Sequence, residues 1–403
     1  MITVQEARQL IAQTVTVGPA QRRDTHDAGR LYLAEDVTAR QAMPSFDNSA
    51  MDGYGLHHED TAPASETRLV TLRQMGEQPA GPANHTPLQP GEAIRIFSGA
   101  PVPPGVTAVI RQEDVTSTET GDITIRRPVR PGENIRRQGE EARPGDLVLA
   151  RGQRVTPAAI AVLASQGIAS VMVHCPPRVG VIVTGSEIVG AADVPADGMI
   201  RDSNSHTLTA ALAGMGIGIA FSRVCPDDPE SAAQIIRNGL HECDVLLITG
   251  GVSVGKHDYV KEATQRLGLQ QIFWRVKQKP GKPLYFAASP DRKKIVFGLP
   301  GNPASVLTGF YEYVRPALLQ MMGAADCAPR TALARLRGDY RKAAGLTHFL
   351  KGAIDAQARV QILEGQGSHM MASFAHANCL VLVDEATTEL KEGDVVTIHV
   401  LPT

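Results

Sequence analysis

The stretch DVLLITGGVSVGKHD (residues 244–258) joins an apolar run to a polar, glycine-rich segment. The run from Val245 to Ile248 predicts a buried strand of a parallel sheet, and the two glycines after it allow the main chain to approach a ligand closely. Ser253 offers a hydroxyl and Asp258 a carboxylate. The stretch therefore predicts a strand ending in an anion-binding loop with a cation ligand, although an ordinary strand-to-helix turn fits the same pattern.

Two other apolar runs end in the same kind of loop. Residues 179–183 (VGVIV) lead into TGSE at 184–187, and residues 294–297 (KIVF) lead into GLPGNP at 298–303. In open α/β sheets, ligands bind beyond the carboxyl ends of the strands. We therefore expect these three loops to converge on one site.

Length and composition exclude several classes of protein. The chain has 403 residues, a formal net charge of -2 and 4% aromatic residues. It is long enough for several domains with their own cores. A general nucleic-acid-binding protein would have an excess of basic residues, and base stacking would need more aromatic side chains. No apolar run reaches the roughly 18 residues that a transmembrane helix requires, so no membrane span is predicted.

The cysteines indicate a reducing compartment. The chain has five of them, at positions 175, 225, 243, 327 and 379. They are widely spaced and form no C-x-x-C pair, which disfavours a structural zinc site. An odd, scattered set predicts a reduced cytoplasmic protein, and residues 1–20 lack the basic start and apolar core of a signal peptide.

The segment between residues 177 and 322 alternates predicted strands and helices. Asp228, with a proline directly after it, is typical of a helix start, and apolar residues recur every three or four positions from 303 to 322. We expect Asn302 to cap this second helix and Pro316 to kink it. The alternation predicts right-handed βαβ units and a mostly parallel sheet.

The flanking segments are rich in short strands instead. Residues 65–150 carry short apolar runs separated by Pro and Gly, which predicts a small β-rich domain. Residues 325–403 carry further strand-like runs, which predicts an all-β C-terminal domain, either a sandwich or a barrel. Residues 1–20 have the spacing of an amphipathic helix.

Four polar clusters add candidate functional residues. Residues 44–55 carry Asp52, residues 95–103 carry Ser98, and residues 132–141 carry paired arginines of the kind that binds phosphate. Each of these three also fits an ordinary polar turn. The fourth cluster, RVKQKPGKP at residues 275–283, concentrates four cations. Together with the acids at 187 and 258 it predicts a pocket for a polyanion and a divalent cation, although a basic turn at the surface fits the same pattern.

Together these motifs resemble the molybdopterin molybdenumtransferase family, which includes MoeA proteins and the E-domain of gephyrin. They occur in family order across nearly the whole chain. The motifs are FDNSAMDGY (46–54), RIFSGAPVP (95–103), GENIRRQGE (132–140), TGSE (184–187), DSN (202–204), GGVSVGKHDY (250–259), KPGKP (279–283) and GLPGNPAS (298–305).

The resemblance implies a fold class, namely a multidomain α/β plus β chain that forms a homodimer. It includes a parallel-sheet, MogA-like α/β domain that binds molybdopterin, β-rich N-terminal domains and a barrel-like C-terminal β domain. The expected boundaries are residues 1–20 with 39–52 and 140–172 for an elongated N-terminal domain, 21–38 with 53–139 for a β-rich domain, 173–324 for the α/β domain and 325–403 for the C-terminal domain.

The resemblance also implies a reaction and its partners. The family inserts molybdate into adenylylated molybdopterin, hydrolyses the adenylate and releases AMP with the help of Mg²⁺. The expected partners are a molybdopterin adenylyltransferase upstream and molybdoenzyme apoproteins or their chaperones downstream, with no nucleic acid and no membrane.

Matching the motifs residue by residue implies the site. The residues expected in catalysis are Asp52, Ser98, Glu187, Asp258 and Lys279, with Glu187 and Asp258 also as metal ligands. Asp52 and Ser98 are expected to come from the partner subunit, and Asp227 and Asp228 are weaker candidates that also fit a helix start. The residues expected to bind substrate are Arg136, Arg137, Thr184, Gly185, Ser186, Asn204, Gly250, Gly251, Ser253, Arg275, Lys282, Pro300, Gly301 and Pro303.

Some positions depart from the family pattern. Ser98 stands where Thr is common, Arg275 where Lys is common, and Glu141 where Asp is common. Lys256 stands where an acid is common, which removes a second carboxylate near Asp258 and leaves the number of bound metal ions open.

Two other functions fit parts of the pattern. A scaffold that binds receptor peptides, as gephyrin does, is disfavoured because nothing here resembles the extra N-terminal domain and linker that accompany that role. The other is a specialised relative that loads tungstate or stores the cofactor. The sequence does not separate molybdate from tungstate, since the two oxyanions nearly match in size and charge.

Overall fold

The structure is a computed structural model that describes residues 1–83, 85–252 and 259–402. The chain divides into two compact units. The first unit comprises residues 1–35, 151–161 and 169–403, and the second comprises residues 36–150 and 162–168. The finer domain boundaries expected from the sequence stay a prediction.

Helices occur mainly in the α/β part of the first unit. None of those in the described residues has the length and apolar content needed to cross a membrane. The α-helices are α1 (Val4–Thr14), α2 (Pro157–Ser165), α3 (Asn204–Gly214), α4 (Pro229–Glu242), α5 (Tyr259–Arg266), α6 (Pro303–Gly309), α7 (Arg315–Met321) and α8 (Met371–Ala375).

Strands occur in both units, and many are short. Strands β1 to β11 are Ala20–Asp24, Val37–Thr38, Asn48–Ser49, Gly53–Leu56, Val70–Gln78, Glu92–Ile96, Ala108–Arg111, Val115–Ser117, Ile123–Ile125, Ile135–Arg136 and Leu147–Leu149. Strands β12 to β21 are Ser170–His174, Val179–Thr184, Ile188–Val189, Ile200–Arg201, Ile219–Cys225, Val245–Thr249, Gln270–Trp274, Gln278–Lys279, Tyr285–Ala288 and Ile295–Leu299. Strands β22 to β28 are Thr331–Arg337, Tyr340–Arg341, Thr347–Ile354, Arg359–Ile362, Cys379–Val383, Glu389–Leu390 and Val395–Val400.

A six-stranded sheet organises the α/β part of the first unit, in the order β16-β13-β17-β21-β20-β18. The first four strands run parallel, as predicted, whereas β20 and β18 pair antiparallel. The predicted mostly parallel sheet is confirmed, with antiparallel pairing confined to one side. Only residues 289–294 connect β20 to β21, which is too short for the crossover that a parallel pair requires.

Helices cover both faces of this sheet. Along β17, Val245 and Leu247 pack in one cluster with residues of α3 and α6, whereas Leu246 and Ile248 pack in another with residues of α4 and α5. Successive side chains of a strand point to opposite faces, so a run of four apolar residues indicates burial on both sides. The predicted buried strand is confirmed.

The helix starts agree only in part with the sequence prediction. Asp228 caps α4, because its side chain accepts a 2.7 Å hydrogen bond from the Ser231 amide. Asn302 occupies the N-cap position of α6, as predicted, but its side chain makes no capping bond. A π segment at residues 310–314 separates α6 from α7, which begins one residue before Pro316. Proline lacks an amide hydrogen and crowds the carbonyl four residues earlier, here that of Glu312, which accounts for the interruption.

The C-terminal part of the first unit is a closed β-barrel. Strands β24, β25, β22, β28 and β26 pair in that order, and β26 pairs back with β24. Closure leaves no free edge in this ring of strands. The predicted all-β domain is confirmed, and of the two architectures expected it is the barrel.

The second unit is β-rich, as predicted. Its main sheet has the order β7-β4-β6-β5-β9-β8 and buries a core that includes Leu56, Ile110 and Ile125. The strand β3 pairs with β10, and β2 pairs with β11. The β3–β10 pair connects the segments that carry the polar motifs of residues 44–55 and 132–141.

A buried carboxylate joins three elements of the first unit. Glu312, in the π segment, has a side chain that is only 1% exposed. It accepts a hydrogen bond from Arg8 of α1, and its oxygens lie 2.9 Å from His399 Nδ1 of β28. Removing one partner of a buried charge pair leaves the other without compensation, so this cluster should contribute strongly to stability.

We predict that Glu312→Ala lowers the free energy of unfolding by about 3 kcal/mol, because it leaves Arg8 and His399 without their shared acceptor. The matched control is Glu262→Ala, which breaks the exposed Glu262–Arg266 pair and should change stability by about 0.5 kcal/mol. Urea unfolding of both variants measures the difference. Equal effects of the two substitutions would contradict the role assigned to Glu312.

Candidate functional site

The carboxyl ends of three adjacent strands border one cavity. In the ladder β13-β17-β21, Val183 aligns with Thr249, and Thr249 aligns with Leu299. The loops after these strands line a cavity of about 600 Å³, called here the strand-end cavity. Many of the predicted site residues lie on its wall, namely Thr184, Glu187, Asn204, Gly250, Gly251, Pro300, Gly301 and Pro303. The expected convergence of the three loops is observed.

The glycine after β17 is required by close packing. Gly250 has a φ of +83°, in the left-handed region, and a β-carbon there would lie 2.5 Å from Thr184 Oγ1. Both the backbone conformation and the contact exclude a larger residue. The main chain at Gly250 and Gly251 is therefore bare where it lines the strand-end cavity.

Two buried polar atoms at these strand ends have no hydrogen-bond partner among the described residues. They are Asn204 Oδ1 and Thr249 Oγ1. The other atom of the Asn204 amide, Nδ2, donates a 2.8 Å bond to the Gly301 carbonyl, which fixes the side chain at the start of α3. Buried polar groups are nearly always bonded, so these two oxygens have hydrogen-bonding capacity that the described residues do not use.

Two carboxylates line the strand-end cavity in different environments. Asp202 is buried and accepts bonds from the amide and the hydroxyl of Ser205, so its position is structural. Glu187 is exposed and has no bonding partner among the described residues. A β-carbon at Gly185 would lie 2.6 Å from Glu187 Oε2, so the carboxylate folds back over that glycine. Glu187 is therefore the available carboxylate.

The turn after β13 holds the remaining predicted residues of its loop. The Ser186 hydroxyl accepts a 3.0 Å bond from the Asp227 amide, and the Ser186 amide donates a 3.3 Å bond to Asp227 Oδ2. Ser186 and Asp227 thus stabilise each other, while Asp228 acts as the cap of α4. These contacts give the two aspartates structural roles.

A second cavity adjoins the first and carries two lysines. This lysine cavity, about 460 Å³, is lined by Lys279 and Lys282, both exposed, and it shares Pro283, Pro300 and Asn302 with the strand-end cavity. Burial, aided by the charges of Lys342 and Lys279, lowers the pKa of His348 to about 4. His348 is therefore neutral at pH 7, and the positive charge beside the cavity resides on the lysines.

A barrel loop that sequence reasoning missed completes both cavities. Gly367 and Ser368 line the lysine cavity, and His369 lines the strand-end cavity. Ser368 Oγ accepts a 2.8 Å bond from Asn302 Nδ2, and the Ser368 carbonyl accepts a 3.0 Å bond from the Ala304 amide. The Ala304 amide, one of the donors from which a capping side chain would accept, is therefore already bonded to this loop.

The buried Lys351 holds this barrel loop in place. Its ammonium group donates to the carbonyls of Gly365, Gly367 and Met370 at 2.6, 3.3 and 2.9 Å. Burial lowers the pKa of Lys351. The signal that could have identified it is a lysine between the apolar residues Leu350 and Ala353 of β24, which indicates a buried charge with specific partners.

Arg275 lies apart from Lys279 and Lys282, the other predicted site residues of the 275–283 cluster. Its guanidinium is 4.0 Å from the centroid of the Trp274 ring. Among the described residues it lines neither cavity. Ser253 and Asp258, two further predicted site residues, lie outside the described residues.

The second unit brings Asp52 and Ser98 together. The Ser98 amide donates a 2.7 Å bond to Asp52 Oδ1, and both residues are exposed. The backbone amide and then the hydroxyl of Ser98 lower the pKa of Asp52, so this carboxyl is charged at neutral pH. The two residues predicted from separate motifs therefore form one unit.

The arginines of the 132–141 motif lie along β10. Arg136 aligns with Asn48 in the β3–β10 pair. Arg137 Nη1 donates a 2.6 Å bond to Asp47 Oδ2, and the Gln138 amide donates a 2.7 Å bond to Asp47 Oδ1. Arg137 is thus paired with an acid, whereas Arg136 is exposed at the strand end.

We predict that the carboxyl of Asp52 titrates below its ordinary pKa of 3.8. The pKa of Asp52 is lower in the folded than in the unfolded protein. The charged carboxylate therefore stabilises the fold at pH values above the unfolded pKa, and this stabilisation is lost as the pH falls through the folded pKa. Ser98→Ala keeps the backbone amide and removes only the hydroxyl, so it should raise the pKa of Asp52 part of the way back towards its ordinary value.

Side-chain NMR titration measures this pKa directly. Asp114, whose pKa is lowered by Arg127 rather than by Ser98, is the internal control and should not change in Ser98→Ala. An Asp52 carboxyl that titrates at or above 3.8 in the wild-type protein would contradict the assigned hydrogen bonds.

Comparisons with known proteins agree along the whole chain. Family profiles described as the MoeA N-terminal region (domain I and II), a probable molybdopterin binding domain and the MoeA C-terminal region (domain IV) match residues 2–167, 180–320 and 333–401. A solved structure of the molybdopterin biosynthesis moeA protein from Pyrococcus horikoshii OT3 is 29% identical, with a TM-score of 0.84 and coverage of 100% of both chains.

Curated relatives give the same result. The molybdopterin molybdenumtransferase of Staphylococcus aureus strain Mu50 is 34% identical over 400 residues, which cover 98% of this chain and 95% of that one. The molybdopterin molybdenumtransferase of Staphylococcus epidermidis strain ATCC 35984 is 34% identical over 401 residues, with the same coverage. With its fold, motifs and near-complete coverage in agreement, the chain belongs to the molybdopterin molybdenumtransferase family, as its sequence motifs predicted.

Proposed function

We propose that this chain inserts molybdate into adenylylated molybdopterin and releases AMP, as a step of molybdenum cofactor biosynthesis. The observation that carries the proposal is the pair of adjoining cavities that share Pro283, Pro300 and Asn302. One presents bare backbone and unpaired polar atoms, and the other presents lysines. Two ligands of different chemistry can thus be bound side by side.

The strand-end cavity suits the pterin nucleotide. Its wall includes the main chain at Gly250 and Gly251 and the first residue of α3, Asn204. Backbone amides at a helix start and at glycine turns bind phosphate oxygens, and the helix dipole favours negative charge there. The unbonded Asn204 Oδ1 supplies an acceptor for an amino or amide group of the pterin.

The lysine cavity suits the oxyanion. Molybdate is a small dianion, and Lys279 and Lys282 supply ammonium donors without an acid partner among the described residues of the cavity wall. The neutral state of His348 leaves this positive charge with the lysines. Ser368, held by Asn302, adds a hydroxyl. Charge-assisted hydrogen bonds of this kind are roughly twice as strong as neutral ones.

The chemical step that we propose is hydrolysis of the phosphoanhydride next to the bound molybdate. A water oxygen forms a bond to phosphorus, the P–O bond to the other phosphate breaks, and AMP leaves while the molybdopterin keeps its own phosphate. Glu187 is placed to orient the water or accept its proton, because it is the exposed carboxylate of the strand-end cavity. Lys279 and Lys282 stabilise the negative charge that develops on the phosphate oxygens.

The residues present fit a magnesium ion. The unpaired donors near the strand ends are all oxygens, namely the Glu187 carboxylate, Asn204 Oδ1 and Thr249 Oγ1, which is the donor class that Mg²⁺ prefers. Glu187 would hold the ion together with Asp258, which lies outside the described residues. When bound, Mg²⁺ supplies charge neutralisation at the phosphates.

We also propose that the active form is a homodimer in which Asp52 and Ser98 of the partner subunit complete the site. Phe46 and Met51, in the same loop as Asp52, are 45% and 41% exposed. Large apolar side chains that flank polar candidate residues are typical of a surface that a partner covers. The bonded Asp52–Ser98 pair supports a joint role for these two residues.

The cellular context follows from the reaction. We propose a cytoplasmic enzyme that receives its nucleotide substrate from a molybdopterin adenylyltransferase and delivers the cofactor to molybdoenzyme apoproteins or their chaperones. All of the cysteines are free, which supports a reducing compartment.

Asp52→Ala, Glu187→Ala and Asp258→Ala should each lower AMP release by about 100-fold or more, because each removes a charge that the transition state requires. The matched control is Asp291→Ala, which removes an exposed carboxylate from the turn before β21, at the opposite end of that strand. Chromatographic quantification of AMP measures the rates. Near-normal rates in all three variants would refute this site.

Mixing Asp52→Ala chains with Glu187→Ala chains tests the shared site. If each site takes Asp52 from one subunit and Glu187 from the other, a verified heterodimer contains one intact site and should work at about half the wild-type rate. Tandem affinity tags isolate the heterodimer. An inactive heterodimer would count against the trans arrangement while leaving the reaction itself in place.

A further inference from the structure

The single tryptophan of this chain is bonded to the glycine segment of the strand-end cavity. Trp274 ends β18, and its indole Nε1 donates a 2.9 Å hydrogen bond to the carbonyl of Val252. Val252 directly follows Gly250 and Gly251, and all three line the cavity. A side chain on an edge strand of the sheet is thus linked to the main chain that faces the ligand.

Val252 is also fixed by packing on its other side. It is 1% exposed, and a β-carbon at Gly298 would lie 2.5 Å from Val252 Cγ1, so the missing side chain at Gly298 makes room for it. The side chain fits against β21 while the carbonyl is held by the indole. The indole bond and the packing against Gly298 both fix Val252. They therefore also restrict the backbone of the two preceding glycines, which have φ values of +83° and +63° and could otherwise adopt other conformations.

The ring of Trp274 gathers two cations next to this anchor. Lys261 Nζ of α5 lies 3.5 Å from the ring centroid, and the Arg275 guanidinium carbon lies 4.0 Å from it. Neither has an acidic partner among the described residues. The face of an indole attracts cations, so one ring holds two like charges close together despite their mutual repulsion.

We propose that Trp274 is a positioning residue for the reaction, a role that rests on the proposed function. Its N–H fixes the Gly250–Val252 main chain in the conformation that binds the phosphates of the nucleotide, and its ring holds Lys261 and Arg275 as a cationic pair beside that segment. Arg275 then acts through the tryptophan, which accounts for its separation from Lys279 and Lys282.

Trp274→Phe in the full-length protein is the test, since it keeps an aromatic ring and removes the indole N–H. Steady-state AMP release should show KM for adenylylated molybdopterin raised about fivefold, the factor that the loss of one ordinary hydrogen bond produces. We expect kcat to fall less than KM rises, and calorimetry should show AMP binding weakened by a similar factor. Unchanged KM and unchanged AMP affinity, with or without a lower Tm, would overturn the proposal.

The matched control is Arg223→Gln. It removes a cation that lies 4.2 Å from the Phe221 ring on β16, the other edge strand of the same sheet. It should leave KM unchanged, and a KM raised as much as in Trp274→Phe would overturn the proposal. If Trp274→Phe does not fold, Lys261→Gln is measured instead. It keeps the indole hydrogen bond but removes one of the two cations at the ring, so KM should still rise.

Tryptophan fluorescence separates this proposal from the proposed function. Because the chain has one tryptophan, a change of its emission when AMP is added to the wild-type protein reports on Trp274 alone. Emission that stays constant while calorimetry registers AMP binding would overturn the positioning role. AMP binding with the expected emission change, but without any AMP release from the adenylylated substrate, would refute the proposed function and limit the role of Trp274 to positioning the segment that binds AMP.

Discussion

The parallel register of β13, β17 and β21 is the constraint on which the rest of the structure depends. It brings three loops from distant parts of the chain together at the carboxyl ends of these strands, where Thr249 is aligned between Val183 and Leu299. The bare main chain at Gly250 then lies against Thr184, where a β-carbon would be 2.5 Å from the hydroxyl. Burial on both faces of β17 fixes this register, because a slip by one residue would exchange the side chains that face α3 and α6 with those that face α4 and α5.

The barrel contributes more to the site than its separate fold suggests. The Lys351 ammonium donates to the backbone carbonyls of Gly365, Gly367 and Met370, and these bonds hold the loop that carries Ser368 and His369. That loop bonds to Asn302 and lines both cavities. A stable barrel is therefore a condition for the geometry at the strand ends, and the buried Glu312 cluster joins β28 to the helical layer.

Local patterns predicted the elements that local physics determines. Four apolar residues before a glycine pair predicted β17, and Asp228 before a proline predicted the start of α4, since both effects act within a few residues. Asn302 has the same local pattern, but Ser368, 66 positions away in the chain, engages its side chain. No local rule contains that partner, so the pattern predicted the position of Asn302 at the helix start but not the bond that its side chain makes.

The candidate site was predictable to a similar extent. Residues on glycine loops after strands were found from their motifs, whereas β24 and its Lys351 were missed because a charged residue and Gly352 interrupt the apolar run. The grouping of Arg275 with Lys279 and Lys282 followed from proximity in sequence, and only the fold shows Arg275 next to the Trp274 ring. The roles of these charged side chains therefore depend on their contacts in the folded protein and not on their spacing along the sequence.

The most direct test of the central claim is a single-turnover measurement of AMP release from adenylylated molybdopterin with Mg²⁺, in the presence and absence of molybdate. The two adjoining cavities predict release that depends on molybdate, with the metal retained on the pterin product, because in the proposed function they bind the oxyanion and the nucleotide side by side. Tight binding of the nucleotide without molybdate-dependent release would contradict the account and would indicate a protein that stores the cofactor precursor.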